Sequence, residues 1–284
     1  MIVDYHMHLR DSQERIAHTA DAVEPFVETA AEHGVDEIGF TEHVYYFRQT
    51  RPLWELPYQT ERCVYDLDAY VDAVVEAKRR GLPVKLGLEV DYAGGRQDEL
   101  DAILEPYPWD YLLGSVHWID GLAVDSSPNA GVWAEWPVEE VWRRYFEALA
   151  ECARAGLFDV LAHPDLVKVW GAGRPLPERD PRHYYEPAIE AIAESGIAVE
   201  VSTAGLRKPV DELYPSRAFA EMCVEAGAAF ALSSDAHLPE QVGFGYAKAV
   251  DFLAGLGVEE ICTFEGRERA TAPLTRPVRE DAEE

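Results

Sequence analysis

Cysteine is scarce in this chain and carries no pattern. Cys63, Cys152, Cys223 and Cys262 share no CxxC spacing, which argues against a disulfide frame and leaves four reduced thiols as the expectation. Positive charge is also short. Against 53 Asp and Glu stand 25 Lys and Arg, a formal net charge of −28. A phosphate backbone needs a basic surface, so no nucleic-acid partner is expected. Any anionic substrate needs a local cationic pocket instead. Long apolar runs are missing, and Met1-Ile2-Val3-Asp4 has no basic leader. Neither a signal peptide nor a membrane span is therefore expected, and the expected compartment is the cytoplasm. No internal repeat or low-complexity block is evident.

What is present is a 284-residue chain, 48% hydrophobic and 27% charged, the profile of a globular enzyme with a sizeable core. Strand-like runs fall at 2–5, 37–41, 84–90, 111–116, 160–162, 198–202 and 228–233. Helical patterns lie between them at 22–33, 67–80, 138–155, 183–195 and 216–226. Gly34, Gly81, Gly156, Gly196 and Gly227 stand where helix C-caps belong. Strand–helix alternation implies parallel strands with right-handed crossovers. Seven strands fit a distorted (β/α)7 TIM-like barrel of α/β class better than an open sheet, although periodicity alone does not separate the two. Residues 1–275 are expected to form one domain, and 276–284 a charged, disordered tail. Two irregular stretches, 48–66 and 171–181, read as loops, the second one over the active face.

Six of the nine histidines stand beside those strand runs, in Asp4-Tyr5-His6-Met7-His8, Glu42-His43, Ser115-Val116-His117, His163-Pro164-Asp165 and Asp235-Ala236-His237. Glu89 closes the third run, and Glu200 belongs to the sixth. In a barrel the carboxyl ends of the strands converge on one rim, where active sites are built. Packing alone would scatter polar groups over both ends. A mixed His, Asp and Glu set without thiolates suits Zn, Mn or Fe and points away from a structural zinc site.

His6 and His8 alternate along a strand, so both rings face one way and can share an ion. The two oxygens of Glu89 can bridge two ions, and Asp235 can complete the first shell and hold the attacking water. His117 and His163 would share the second ion with Glu89. His43, His237 and one further ligand would make a third site. Ions sharing a water make it an effective nucleophile at neutral pH. Asp4 and Glu42 are candidates for holding imidazole tautomers.

Taken in order, His6-Met7-His8, Thr41-Glu42-His43, Gly87-Leu88-Glu89, Gly114-Ser115-Val116-His117, His163-Pro164-Asp165 and Ser234-Asp235-Ala236-His237 resemble the polymerase-and-histidinol-phosphatase (PHP) superfamily of metal-dependent phosphoesterases. Within it, residues 114–121 and 200–209 look like the histidinol-phosphate phosphatases. The resemblance implies a distorted seven-stranded barrel and a centre of two or three divalent transition metal ions (Mn, Fe or Zn). It also implies hydrolysis of L-histidinol phosphate in histidine biosynthesis. The alternative is a PHP-type phosphatase for another small phosphomonoester, a nucleotide or a phosphotyrosine peptide. The family carries a further ligand histidine before the first helix, and His18 stands in the matching place. Residues 10–15 depart from the usual pattern there.

The resemblance also favours Arg207, followed by Lys208, as the cation that meets the substrate phosphate. Lys168 is a weaker candidate for the same task. The leaving alkoxide would be stabilised by a metal or take a proton from an acid such as His237 or Asp235, depending on which of them are ligands. Trp118 and Trp170 are candidates for packing on an imidazole, and Trp118 for binding substrate. The loops 48–66 and 170–181 are expected to hold specificity, since the rim residues belong to shared chemistry. His33 and His183 read as a structural and a surface residue. The amidohydrolase barrel also opens with HxH, but it carries eight strands and a bridging Lys, and no Lys ends a fourth strand here.

Overall fold

A computed structural model describes residues 1–9 and 17–276. The loop at 10–15 and the tail beyond Arg276 fall outside them. Seven strands, Val3–Asp4, Glu37–Phe40, Val84–Asp91, Tyr111–Ser115, Val160–Leu161, Ala198–Ser202 and Phe230–Ser233, pair in chain order. Every pair is parallel. The seventh strand returns to the first. Tyr5 N donates to the Leu232 carbonyl at 3.0 Å, and His8 N donates to the Ala236 carbonyl at 2.8 Å. This closes an α/β barrel of the TIM-like type. The strands are buried on both faces almost throughout, which explains why they read as continuous apolar runs.

Helices cover the outside because each presents one apolar stripe to the strands. In Val138–Arg154 the buried face is Val141, Trp142, Tyr145, Phe146 and Leu149, the spacing of one side of a 3.6-residue helix. That face meets Arg182–Ser195, where Trp142 stacks on Tyr185 at 6.2 Å. The five expected helices are present within two residues of their expected ends. All five glycines expected to close them have positive φ.

Three of the larger elements went unread in the sequence. Two are helices, Gln97–Leu104 and Tyr246–Ala254. The second carries its apolar residues at Tyr246, Ala249, Val250 and Leu253, a legible helical stripe. The third is a C-terminal antiparallel hairpin of Glu260–Glu265 and Glu268–Pro273. Its two-residue turn, Gly266-Arg267, has φ of 55° and 69°, as the right-handed twist of a tight hairpin requires. Phe264 of this hairpin stacks on Tyr111 at 5.5 Å and packs on Tyr5 at 5.9 Å. Gly266 N and Arg267 N donate to Asp110, which immediately precedes the fourth barrel strand. The hairpin therefore seals the amino-terminal end of the barrel and leaves the opposite end to the histidines. Among the described residues, no helix is long and apolar enough to cross a membrane.

Candidate metal centre

Alternation builds the centre from its first element. Met7 bridges to Ala236 and points into the core, so His6 and His8 turn the other way, and all three are fully buried. In the third strand Glu89 and Asp91 share a face for the same reason. His43 bridges to Glu89 along the adjacent strand path. His163 and Asp235 have φ of 28° and 51°, a region that costs a residue with a side chain and is concentrated at functional sites. Backbone bonds hold both. Glu200 accepts from His163 N at 2.5 Å, and the Arg207 guanidinium donates to the Asp235 carbonyl at 3.1 Å.

Glu89 is the hub. Its Oε2 lies 3.5 Å from His6 Nε2, 3.8 Å from His8 Nε2 and 2.6 Å from His43 Nδ1. Its Oε1 lies 3.1 Å from His163 Nε2 and 3.5 Å from His117 Nε2. Three sets of donor atoms each fall within 4.8 Å: His6, His8 and Asp235; His6, Glu89 and His163; His8, His43 and His237.

The electrostatics of the cluster call for cations. Glu42, Glu89, Asp91, Glu200 and Asp235 pair with imidazoles and with no Lys or Arg among the described residues. Burial alone would raise the Glu89 carboxyl, but His43, His6 and His117 hold it well below its usual range. Burial likewise opposes ionisation of Asp235, and His6 and His8 overcome it. Burial and the nearby His8 push the His237 ring down to about 3. A neutral imidazole beside an ionised carboxylate is the protonation state in which these side chains can act as metal ligands. His6 Nε2, both ring nitrogens of His8, His43 Nδ1 and Glu89 Oε2 are buried without a hydrogen-bond partner. Buried polar atoms are normally satisfied, so this donor set fits divalent transition ions.

Carboxylates behind the rings orient them. His6 Nδ1 lies 2.8 Å from Glu200 Oε1, and His117 Nδ1 lies 2.9 Å from Asp91 Oδ1, the arrangement that sets the tautomer of a ligating histidine. Glu200 sits inside its strand, not at the end. Asp91 was not anticipated, although Glu89-Val90-Asp91 already put it on the same face. Asp4 pairs with no imidazole among the described residues. It accepts from Ser234 N at 2.8 Å and Gly243 N at 3.0 Å, fixing the loop that carries Asp235.

Several expected residues make contacts other than those expected. His18 belongs to none of the three sets. Its Nε2 is 3.7 Å from Glu42 Oε1, its ring packs on Tyr65 at 4.7 Å, and the other Glu42 oxygen is 3.5 Å from His8 Nδ1. His18 thus meets the cluster through a carboxylate, and His8 completes the third set. Lys168 is committed to Asp165 at 3.2 Å, Glu212 at 3.0 Å and the Leu213 carbonyl at 2.8 Å. Trp118 packs on Tyr58 at 5.2 Å, and Trp170 donates to the Val124 carbonyl. Tyr45 stacks on the His43 imidazole at 4.9 Å.

Above the centre is a cleft of about 330 Å³ lined by Glu89, Asp235 and four of the histidines, with Tyr45, Tyr58, Trp118, Asp125 and Lys208 on its sides. The 48–66 loop contributes Tyr58, as expected. The 170–181 loop does not line this cleft. It packs on the 124–133 segment, whose neighbours at 118–126 take its place.

Arg207 stands behind the cleft. It donates to the carbonyls of Ser234 at 2.7 Å and Asp235 at 3.1 Å and covers Phe244 at 5.3 Å. Arg207→Ala is expected to lower kcat/KM by about 2–4 kcal/mol, the range for losing an electrostatic stabiliser. If the arginine works by positioning Asp235, metal content falls with kcat. A direct phosphate contact would instead raise KM at full metal content, and unchanged kinetics would leave Arg207 a packing residue.

The PHP domain model matches residues 4–204. A protein of Deinococcus radiodurans named a probable histidinol-phosphatase is 31% identical over 250 residues, 88% of this chain and 93% of that one. The histidinol-phosphatase of Bacillus subtilis is 25% identical over 248 residues, covering 80% and 91%. The crystal structure of histidinol phosphate phosphatase from Lactococcus lactis, complexed with Zn, L-histidinol and phosphate, shares the fold with a TM-score of 0.73. Its sequence identity is 21%, and the match covers 95% of this chain and 98% of that one. With the model matched across most of the barrel and a relative above 30% spanning nearly all of both chains, this protein belongs to the PHP domain family.

Proposed function

We propose that the protein is a metal-dependent phosphomonoesterase that hydrolyses L-histidinol phosphate to L-histidinol and phosphate. The observation that carries this reading is Glu89, whose two oxygens face separate groups of imidazoles at the floor of a small cleft. His6, His8 and Asp235 would hold one ion, His117 and His163 a second, and His43 and His237 would serve a third, with Glu89 offering one oxygen to each of the first two groups. Bound there, the ions supply Lewis acidity that activates water at neutral pH and neutralises phosphoryl charge.

The chain's own side chains do the rest. Glu200 and Asp91 keep His6 and His117 in one tautomer, so each ring presents Nε2 to the centre. Arg207 holds the strained loop that aims Asp235. Lys208 lines the cleft and offers an ammonium to the phosphate. Water adds to phosphorus and the bond to the alcohol oxygen breaks, the alkoxide taking up the proton that the water gives up.

The names of the relatives in Deinococcus radiodurans and Bacillus subtilis, and the L-histidinol and phosphate bound by the Lactococcus lactis protein, support the substrate. A cleft of about 330 Å³ suits a small ester better than a phosphopeptide. The test is a panel assay on metal-loaded protein, with L-histidinol phosphate beside p-nitrophenyl phosphate, nucleotides and a phosphotyrosine peptide. L-Histidinol phosphate is expected to lead. Elemental analysis should find two or three transition ions, and chelation should abolish turnover while the circular dichroism of the barrel persists. A nucleotide or phosphopeptide cleaved far better would overturn the substrate. Chelator-insensitive activity in a metal-free protein would overturn the mechanism.

A further inference from the structure

The cleft carries one negative charge that metal binding does not need. Asp125 is exposed at its side; its carboxylate makes no hydrogen bond or close ion pair with a described residue and acts on the His117 imidazole only through space. A free carboxylate beside a phosphate site repels the substrate unless the substrate brings a compensating cation. Lys208, in the same lining, also makes no ion pair with a described residue. The cleft thus offers one unpaired charge of each sign.

Asp125 is not on a loose loop. Trp118–Ile119 and Leu122–Ala123 form a short hairpin, with Trp118 paired to Ala123. Its turn is Asp120-Gly121, with φ of 49° and 77°, the pairing that a tight two-residue hairpin favours. Beyond it, Val124 N donates to the His117 carbonyl at 2.9 Å. The Val124 carbonyl accepts from Trp133 Nε1 at 2.7 Å and Trp170 Nε1 at 3.2 Å. This pinned element presents Trp118 from one strand and Asp125 just past the other. The aromatic wall continues from Trp118 to Tyr58 at 5.2 Å and to Tyr45 at 5.9 Å. Tyr58 is 41% exposed, and the Arg62 guanidinium already covers one of its faces at 3.5 Å, so this wall accommodates planar cations.

We propose that Asp125, presented beside Trp118 and Tyr58, selects phosphate monoesters whose alcohol carries a cationic nitrogen, by pairing with that nitrogen while the phosphate meets the metal centre. The inference rests on the phosphomonoesterase reading and adds which alcohol is chosen. It is tested by kcat/KM of the metal-loaded protein and of Asp125→Asn on L-histidinol phosphate, O-phosphoethanolamine and p-nitrophenyl phosphate. Calorimetric binding of L-histidinol alone is measured alongside.

The ratio of each cationic substrate to p-nitrophenyl phosphate should fall about 10–100-fold in Asp125→Asn, the effect of losing one charge-assisted hydrogen bond. The Kd of L-histidinol should weaken by a similar factor. Unchanged ratios and unchanged L-histidinol binding overturn the inference, even where wild type prefers L-histidinol phosphate and the proposed substrate stands. Conversely, a wild type that cleaves L-histidinol phosphate poorly and O-phosphoethanolamine well, losing that preference in Asp125→Asn, removes the histidinol reading and keeps the role of Asp125.

Discussion

Glu89→Gln is expected to lower kcat/KM for phosphate monoesters by about 10³-fold, about 4 kcal/mol at the transition state. The substitution keeps the size and shape of the side chain. It replaces one oxygen with an amide that only donates, and it removes the charge. In the folded protein Oε2 faces His6, His8 and His43, and Oε1 faces His163 and His117. Whichever way the amide turns, one group of imidazoles loses the acceptor it shares with a cation. Metal content should therefore fall together with activity, while far-UV circular dichroism stays that of the native barrel. Full metal content with undiminished kcat/KM would sink the bridging role of Glu89.

The second large effect is on folding. Gly131 adopts φ 58° and ψ −134°, a conformation that residues with a Cβ rarely reach. A Cβ there would lie 2.1 Å from the Ala123 carbonyl oxygen, a backbone atom that cannot move without opening the 118–126 hairpin. Gly131→Ala is expected to destabilise the protein by about 2–4 kcal/mol in urea unfolding. Gly81→Ala is the matched control. Its φ is 85°, but nothing lies within 4 Å of the added Cβ, so only left-handed strain remains, about 1–2 kcal/mol. Equal losses at the two positions would show that the contact with Ala123 contributes nothing. Because Ala123 lines the cleft, Gly131→Ala should also raise KM at a temperature where the variant is folded.

The sequence by itself determined the strand–helix alternation and the kinds of side chain along the strand ends. Both follow from local rules. Runs buried on two faces read as apolar whatever their neighbours are, and alternate residues of an extended segment share a face. His6 with His8, and Glu89 after its run, were therefore legible before any fold was known. The same rule would have found Asp91, two residues beyond Glu89, had it been carried one step further.

Only the tertiary structure decided which groups meet. His18 and His8 each face one oxygen of Glu42, so His18 meets the cluster through that carboxylate. Arg207 follows the sixth strand, and only the fold shows that one arm of its guanidinium, Nη2, donates to the carbonyls of residues 234 and 235. Nothing within a few residues of Arg207 encodes that choice, which depends on where a loop nearly thirty residues later passes. The exchange of cleft-lining segments has the same origin. Residues 170–181 and 118–126 both carry turn residues, and the second lines the site because its hairpin is pinned beneath Trp133 and Trp170. Strand placement is set by periodicity along the chain, whereas loop paths are set by contacts between distant segments, and those contacts exist only once the barrel has closed.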